Sequence, residues 1–174
     1  MLKIGLTGGI GTGKTYISRH FIDMGIPVFD ADEETKKLYC EPKVQALLRQ
    51  QFGDVIFTDN QLDFKKMGNL LFSSPEALQQ INTLIHPLVT EHFNRWATQQ
   101  QSKAVIMESA IIFEAGLAPL FDKIFVVDAP LAVRIQRIQV RNPEWNETDI
   151  MKRINAQMKQ EEKCRLGDLV IWNE

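Results

Sequence analysis

Apolar residues along this 174-residue chain fall into two kinds of run. Five runs are short and largely apolar: residues 3–7, 27–30, 104–109, 123–128 and 168–172. Continuous runs of this length suit strands covered on both faces, which is the habit of parallel sheets. Elsewhere the apolar positions return every three or four residues, as in Tyr16-Ile17-Ser18-Arg19-His20-Phe21-Ile22 just after the first run. That spacing predicts amphipathic helices. Strands alternating with helices give an α/β fold, a five-stranded parallel sheet flanked by helices. The first helix is predicted to end at Met24-Gly25, with Gly25 as its C-terminal cap, and Pro27 opens the second strand.

The stretch 31–102 departs from that alternation, holding no convincing strand and much helical spacing. Ser74-Pro75-Glu76 has the features of a helix start, with serine as cap and proline in the first turn. Leu78, Ile81, Leu84, Ile85 and Leu88 then keep a helical period. Pro87 lacks the backbone donor that a helix interior uses, which predicts a kink or break near His86-Pro87. The stretch therefore reads as a helical insertion within a single domain spanning 1–174, with core strands inside about 2–30 and 103–174. Phe52, Phe57, Phe64 and Phe72 are its expected core residues.

Chemistry enters at the turn between the first strand and the first helix. Gly8-Gly9-Ile10-Gly11-Thr12-Gly13-Lys14-Thr15 fits the phosphate-loop template G-x-x-x-x-G-K-[ST] throughout. Backbone N–H groups of such a loop point inward around phosphate oxygens, at a helix N-terminus whose dipole favours anions. Lys14 is placed to reach the β- and γ-phosphates, and the Thr15 hydroxyl to bind Mg²⁺. The sheet is thus expected to be of the P-loop NTPase type, with a nucleoside triphosphate bound at the loop.

Composition narrows the setting. With 44% hydrophobic and 24% charged residues, the chain has the make-up of an ordinary globular protein. No stretch is long and apolar enough to suggest a membrane span, and the N-terminus runs into a strand without a signal-peptide pattern. Cys40 and Cys164 lack metal or redox spacing and read as free thiols of a cytoplasmic protein. The net charge of −2 is uneven: residues 134–165 carry eight Lys/Arg against five acids, +3, which leaves −5 elsewhere. A local basic element on an acidic body fits one bound anion and argues against a nucleic-acid surface.

Further candidates follow from position. Asp30 and Asp32 close the second strand run, at the edge where parallel sheets bind ligands. If the strand persists that far, both carboxylates share a side. One could then take the proton of an attacking hydroxyl and the other could hold Mg²⁺. Asp32 has a plainer alternative as the cap of a helix beginning near Glu33. Glu108 ends an apolar run where a metal-binding acid stands in many triphosphatases. Arg134, Arg137 and Arg141 fall at i, i+3 and i+7 on the helix after Pro130, and the turn-rich Asn142-Pro143-Glu144-Trp145 follows them. This is the pattern of a cationic lid over a transferring phosphoryl group, within about 134–165. His86 is as readily a packed histidine beside a proline as a catalytic one.

Taken together these motifs resemble those of the dephospho-CoA kinases, the enzymes that finish coenzyme A synthesis. The resemblance runs through Ile4-Gly5-Leu6-Thr7 into the loop, Asp30-Ala31-Asp32, Leu84-Ile85-His86-Pro87 and Arg137-x-x-x-Arg141. It continues through Arg153-Ile154-x-x-Gln157, Lys163 and Asp168-x-Val170-Ile171-x-Asn173. It implies transfer of the ATP γ-phosphate to the ribose 3′-hydroxyl of dephospho-CoA, with Asp32 as base, Arg137 and Arg141 in the lid, and Mg²⁺. It also implies His86 in the acceptor-binding helical part, and Tyr16 and Asn173 on the ATP side. The partners are then ATP and dephospho-CoA, with no nucleic acid and no membrane, and the oligomeric state is left open.

The chain departs from the family pattern in places. Ala110-Ile111-Ile112-Phe113-Glu114 lacks the usual proline, Glu108 stands where aspartate is common, and Asn142 follows the second lid arginine where aspartate is usual. Family members usually continue with a further helix after the position of Asn173-Glu174, so a shortened C-terminus is expected. Two rival readings share parts of the pattern. Another small-molecule P-loop kinase, for a nucleoside, nucleotide or shikimate, would have the same loop and lid. A GTPase-type switch would need an N-K-x-D motif, and none occurs.

Overall fold

The computed structural model describes residues 1–174. It consists of two compact units, Met1–Asp30 with Gln99–Glu174, and Ala31–Thr98. In the first unit, strands β1 (Leu2–Thr7), β2 (Val28–Asp30), β5 (Ala104–Glu108), β6 (Lys123–Asp128) and β7 (Leu169–Trp172) form one sheet in the order β2-β5-β1-β6-β7. Every pairing in it is parallel. All five strand runs of the sequence are present, with ends that agree to within one residue.

The central strand is buried because its neighbours cover both edges and helices cover its faces. Ile4 and Leu6 of β1 pack with Ile106 and Val127, and Ile17 and Phe21 of α1 (Lys14–Asp23) close over them. Gly5 takes the opposite face, where an added Cβ would lie 2.8 Å from Ile112 and 2.9 Å from Phe121. α1 ends as the sequence predicts: Gly25 has φ +77° and donates its N–H to the Ile22 carbonyl. Helices α6 (Leu131–Arg141), α7 (Glu147–Asn155) and α8 (Gln160–Leu166) lie between β6 and β7. At the far end of β7, Asp168 accepts the Ile124 N–H and pairs with Lys123 at 2.9 Å, which holds its carboxyl below the usual range.

The second unit contains α2 (Ala31–Tyr39), α3 (Pro42–Phe52), a hairpin of β3 (Phe57–Thr58) and β4 (Gln61–Leu62), α4 (Phe64–Ser73) and α5 (Pro75–Thr98). The hairpin corrects the expectation that this stretch holds no strand. Asp59 and Asn60, with φ +50° and +63°, make the two-residue turn, a conformation that Asp and Asn tolerate better than most. Its strands are only two residues long, too short to show an alternation in the sequence.

A second correction concerns Pro87. α5 continues through it as one helix. Thr83, whose carbonyl loses its partner four residues on, and Pro87 are both exposed, so water can serve the carbonyl. The buried side of α5 is a stripe of Ala77, Ile81, Ile85, Val89, Phe93 and Ala97, so Ile81 and Ile85 face the core while Leu78 is exposed. Of the four insertion phenylalanines, Phe57 is buried, whereas Phe72 is 91% exposed.

The predicted start of α5 is present: the Ser74 hydroxyl accepts the Ala77 N–H at 3.1 Å, with Pro75 as the first helical residue. Ser74→Ala is expected to lower stability by about 1 kcal/mol, measured as a reduced urea midpoint with an unchanged slope. No helix of the protein is long and apolar enough to cross a membrane.

Candidate active site

The phosphate loop occupies the turn from β1 to α1, where Gly8, Gly11 and Gly13 have φ of +148°, +84° and +89°. All three also need glycine for space. A Cβ on Gly8 would collide with the Val127 carbonyl oxygen, one on Gly11 would lie 2.7 Å from the Arg134 carbonyl oxygen, and one on Gly13 would collide with the Asn173 amide. Gly13 stands before α1 in a left-handed conformation, and no side chain caps the helix. The positive end of the α1 dipole meets the loop there and favours an anion.

The outer side of the loop is tied down by side chains from distant parts of the chain. The Gly9 N–H donates to Gln160 Oε1 and the Ile10 N–H to Gln157 Oε1, both at 2.8 Å. Gln160 also donates to the Val127 carbonyl at 3.0 Å, bridging the loop to the end of β6. Arg134 Nε donates to the Ile10 carbonyl at 3.0 Å, and Asn173 Nδ2 to the Thr12 carbonyl at 2.9 Å. Arg137 Nη1 joins the Asn173 carbonyl at 2.9 Å and the Thr12 carbonyl at 3.4 Å. Beside this clasp is a cavity of about 640 Å³, lined among others by Asp128, Arg134, Ile154, Gln157, Gln160 and Trp172.

The three arginines of α6 thus have three different surroundings, not one shared solvated face. Arg134 is 5% exposed, and its burial lowers its pKa below the ordinary guanidinium value, opposed by Asp128 and Glu161. It remains charged at any physiological pH. Arg137 is half-buried against the loop. Arg141 is exposed, its Nε donating to Asn142 Oδ1 at 3.4 Å. In the turn that follows, the Arg153 guanidinium lies 3.8 Å above the Trp145 ring, tying α7 to that turn.

At the mouth of the loop, Lys14 Nζ donates to the Gly8 carbonyl at 2.9 Å. The exposed Thr15 donates its hydroxyl to Glu108 Oε1 at 3.0 Å, and the buried Ser18 donates to Glu108 Oε2 at 2.6 Å. Tyr16 is 56% exposed and sets its ring edge-on to His20 at 4.6 Å. Glu108 and Asp30 are register partners on the neighbouring strands β5 and β2, so Thr15, Glu108 and Asp30 belong to one edge of the first unit.

Asp32 and His86 belong to the second unit. β2 stops at Asp30 and α2 begins at Ala31, so Asp32 lies in the first turn of a helix. The premise that a persisting strand puts both aspartates on one side fails for that reason, and so does a role for Asp32 as the residue preceding the helix. Asp32 is exposed. His86 is half-buried midway along α5, and burial lowers its pKa, which favours the neutral ring. An unforeseen contact lies in the same unit, where His92 Nε2 meets Glu34 at 2.7 Å.

Cys40 and Cys164 are free thiols, as expected. Burial, reinforced by Asp128, pushes the Cys164 thiol up to about 11. Cys164 is therefore expected to stay unmodified by a thiol-alkylating reagent at pH 8, while the exposed Cys40 reacts; peptide mass mapping reads the difference.

The chain is similar to known proteins along nearly its whole length. A family model described as dephospho-CoA kinase matches residues 2–174. The dephospho-CoA kinase of Bacteroides fragilis strain YCH46 is 40% identical over 175 residues, covering 99% of this chain and 85% of that protein. Among solved structures, TT1252 from Thermus thermophilus matches at a TM-score of 0.89 and 27% identity, covering 99% of this chain and 88% of that one. A dephospho-CoA kinase from Campylobacter jejuni shares the fold at a TM-score of 0.67 and 20% identity, over 98% and 87% of the two chains.

Proposed function

The chain belongs to the dephospho-CoA kinase family, and we propose from that premise a division of labour among its residues. The protein is a kinase that uses ATP to phosphorylate dephospho-CoA in coenzyme A synthesis. The observation that carries the reading is the phosphate loop, glycine-bent and clasped from outside, with Lys14 and Thr15 at its mouth.

The acceptor is the ribose 3′-hydroxyl of dephospho-CoA. The loop Gly8–Thr15 cradles the β- and γ-phosphates of ATP, and those of its donors not given to Gln157 and Gln160 neutralise them together with Lys14. Tyr16 and Asn173 stand on the nucleotide side. Asp32 orients the acceptor hydroxyl and takes its proton, with His86 in the acceptor-binding part. Arg137 and Arg141 offset charge on the group in transfer. Support for the two arginines is unequal: Arg137 already sits on the loop, whereas exposed Arg141 depends on movement of its own end of the lid segment, since Arg134, Gln157 and Gln160 are fastened to the loop. The unit Ala31–Thr98 is the acceptor-binding insertion of a single P-loop kinase domain.

The donor set fits Mg²⁺ held mainly by substrate phosphates. No cluster of three or more acidic, histidine or cysteine side chains could hold a metal by itself. Thr15 gives its proton to Glu108, so its lone pairs are free for a cation. Magnesium ions commonly use one or two protein ligands plus phosphates and water. Thr15 would hold the ion and Glu108 would orient Thr15, with Asp30 beside them in register. When bound, the ion neutralises charge on the β- and γ-oxygens. The reaction is placed in the cytoplasm, with ATP and dephospho-CoA as partners and neither nucleic acid nor membrane involved.

ADP release measured with ATP and a panel of acceptors tests this. Turnover that depends on dephospho-CoA is the expected result. Turnover with shikimate or a nucleoside in its place would move the protein to another small-molecule kinase group.

A further inference from the structure

We infer that Ser18 is a positioning residue for the metal-binding hydroxyl of Thr15, acting through Glu108. The inference rests on Thr15 being the Mg²⁺ ligand proposed above. Thr15 and Ser18 are three residues apart on α1, which puts both on one side of the helix. Glu108, at the carboxyl end of β5, receives both: Oε1 accepts from Thr15 at 3.0 Å and Oε2 from Ser18 at 2.6 Å.

Each hydroxyl has a single proton to give. With the Thr15 proton committed to Glu108, the lone pairs of its oxygen face away from the carboxylate, which is the orientation a divalent cation needs. What keeps Glu108 in the matching orientation is the question. The last torsion of a glutamate is broad and roughly two-fold, so the side chain does not fix its own carboxylate plane. A second hydroxyl on the other oxygen does fix it. Ser18 is 3% exposed and Glu108 8% exposed, so bulk water is poorly placed to take over the Ser18 bond. The 2.6 Å separation is that of a charge-assisted hydrogen bond.

Serine is also a poorer helix former than alanine, and mid-helix its hydroxyl commonly turns back to a carbonyl of the preceding turn. In α1 it goes to Glu108 instead. A glutamate side chain turns about three torsions, so it has considerable freedom to restrain. The pair of hydroxyls supplies that restraint: Ser18 holds one oxygen so that the other always faces Thr15.

Calorimetric titration with ATP, over a range of Mg²⁺ and with a chelator replacing Mg²⁺, separates this role from simple packing. In Ser18→Ala the Mg²⁺ concentration giving half of the metal-dependent gain in ATP affinity is expected to rise by about 10-fold, as for other outer-shell substitutions. ATP affinity in chelator and the melting temperature stay near native, and Ser18→Thr, which keeps the hydroxyl, restores the native Mg²⁺ requirement. An unchanged requirement in Ser18→Ala overturns the inference. A loss of ATP affinity equal with and without Mg²⁺ also overturns it, because that is packing. If the native protein binds ATP equally well in chelator, the Thr15 reading itself falls, and the inference falls with it.

Discussion

Asp32→Asn is expected to cut phosphoryl transfer to dephospho-CoA by about 10²–10⁴-fold, the usual worth of a positioned general base. ATP affinity should stay near native. The reason for the split lies in where the residue stands. Asp32 lies in the first turn of α2, outside the loop that holds the triphosphate, whereas Lys14 is part of that loop. Asparagine keeps the size and the hydrogen-bonding shape of the side chain but cannot accept the proton. Asp32 is exposed, so the change should leave the fold intact. Steady-state ADP release, read beside ATP affinity, checks both halves. Lys14→Ala is the contrasting control, expected to lose turnover and ATP affinity together. Near-native turnover in Asp32→Asn removes Asp32 as the base.

The largest expected effect on stability comes from Glu114. Lys163 of α8 is fully buried, and its ammonium donates to Glu114 Oε1 at 2.7 Å and to the Ala110 carbonyl. Glu114 Oε1 also accepts the Met158 N–H at 3.0 Å. Truncation to alanine leaves a buried charge without its counter-ion, which costs about 3–5 kcal/mol. Urea unfolding monitored by circular dichroism reads that loss. Replacing the pair together, Glu114→Leu with Lys163→Met, is expected to recover most of it, because no charge is then left stranded. Glu114 also supports the start of α8, from which Gln160 reaches Gly9. The single variant should therefore weaken ATP binding as well, even at urea concentrations where it stays folded.

How far the sequence revealed these features depended on what kind of force makes each of them. The five strands were legible because burial on both faces forces apolar residues into continuous runs. The loop was legible because a phosphate cradle restricts backbone and side chain together, at Gly8, Gly11 and Gly13 for space and at Lys14 and Thr15 for chemistry. The hairpin at Asp59-Asn60 was not, since two-residue strands leave no period, although that dipeptide tolerates positive φ. Pro87 misled because its penalty depends on whether the freed carbonyl can reach water, which is a tertiary fact.

The candidate site was legible by residue type more than by contact. Arginines at i, i+3 and i+7 give the same sequence pattern whether they face solvent, a lid or the back of a loop. Only the fold sends Arg134 inward to the Ile10 carbonyl and leaves Arg141 exposed. Gln157 drew attention only as part of a family motif, and Gln160, Ser18 and the contact between Lys163 and Glu114 gave no sign. Each is a polar side chain bonded far along the chain, and no periodicity encodes such a partner. A serine inside an amphipathic helix one turn past a phosphate loop is the nearest thing to a signal among them.

Delivery of the γ-phosphate from the clasped loop to one hydroxyl of one acceptor is tested most directly by steady-state ADP release with dephospho-CoA compared with the analogue that lacks the ribose 3′-hydroxyl. Sustained turnover is expected with dephospho-CoA and none above the ATP-only background with the 3′-deoxy analogue. Equal turnover with the two acceptors would contradict it.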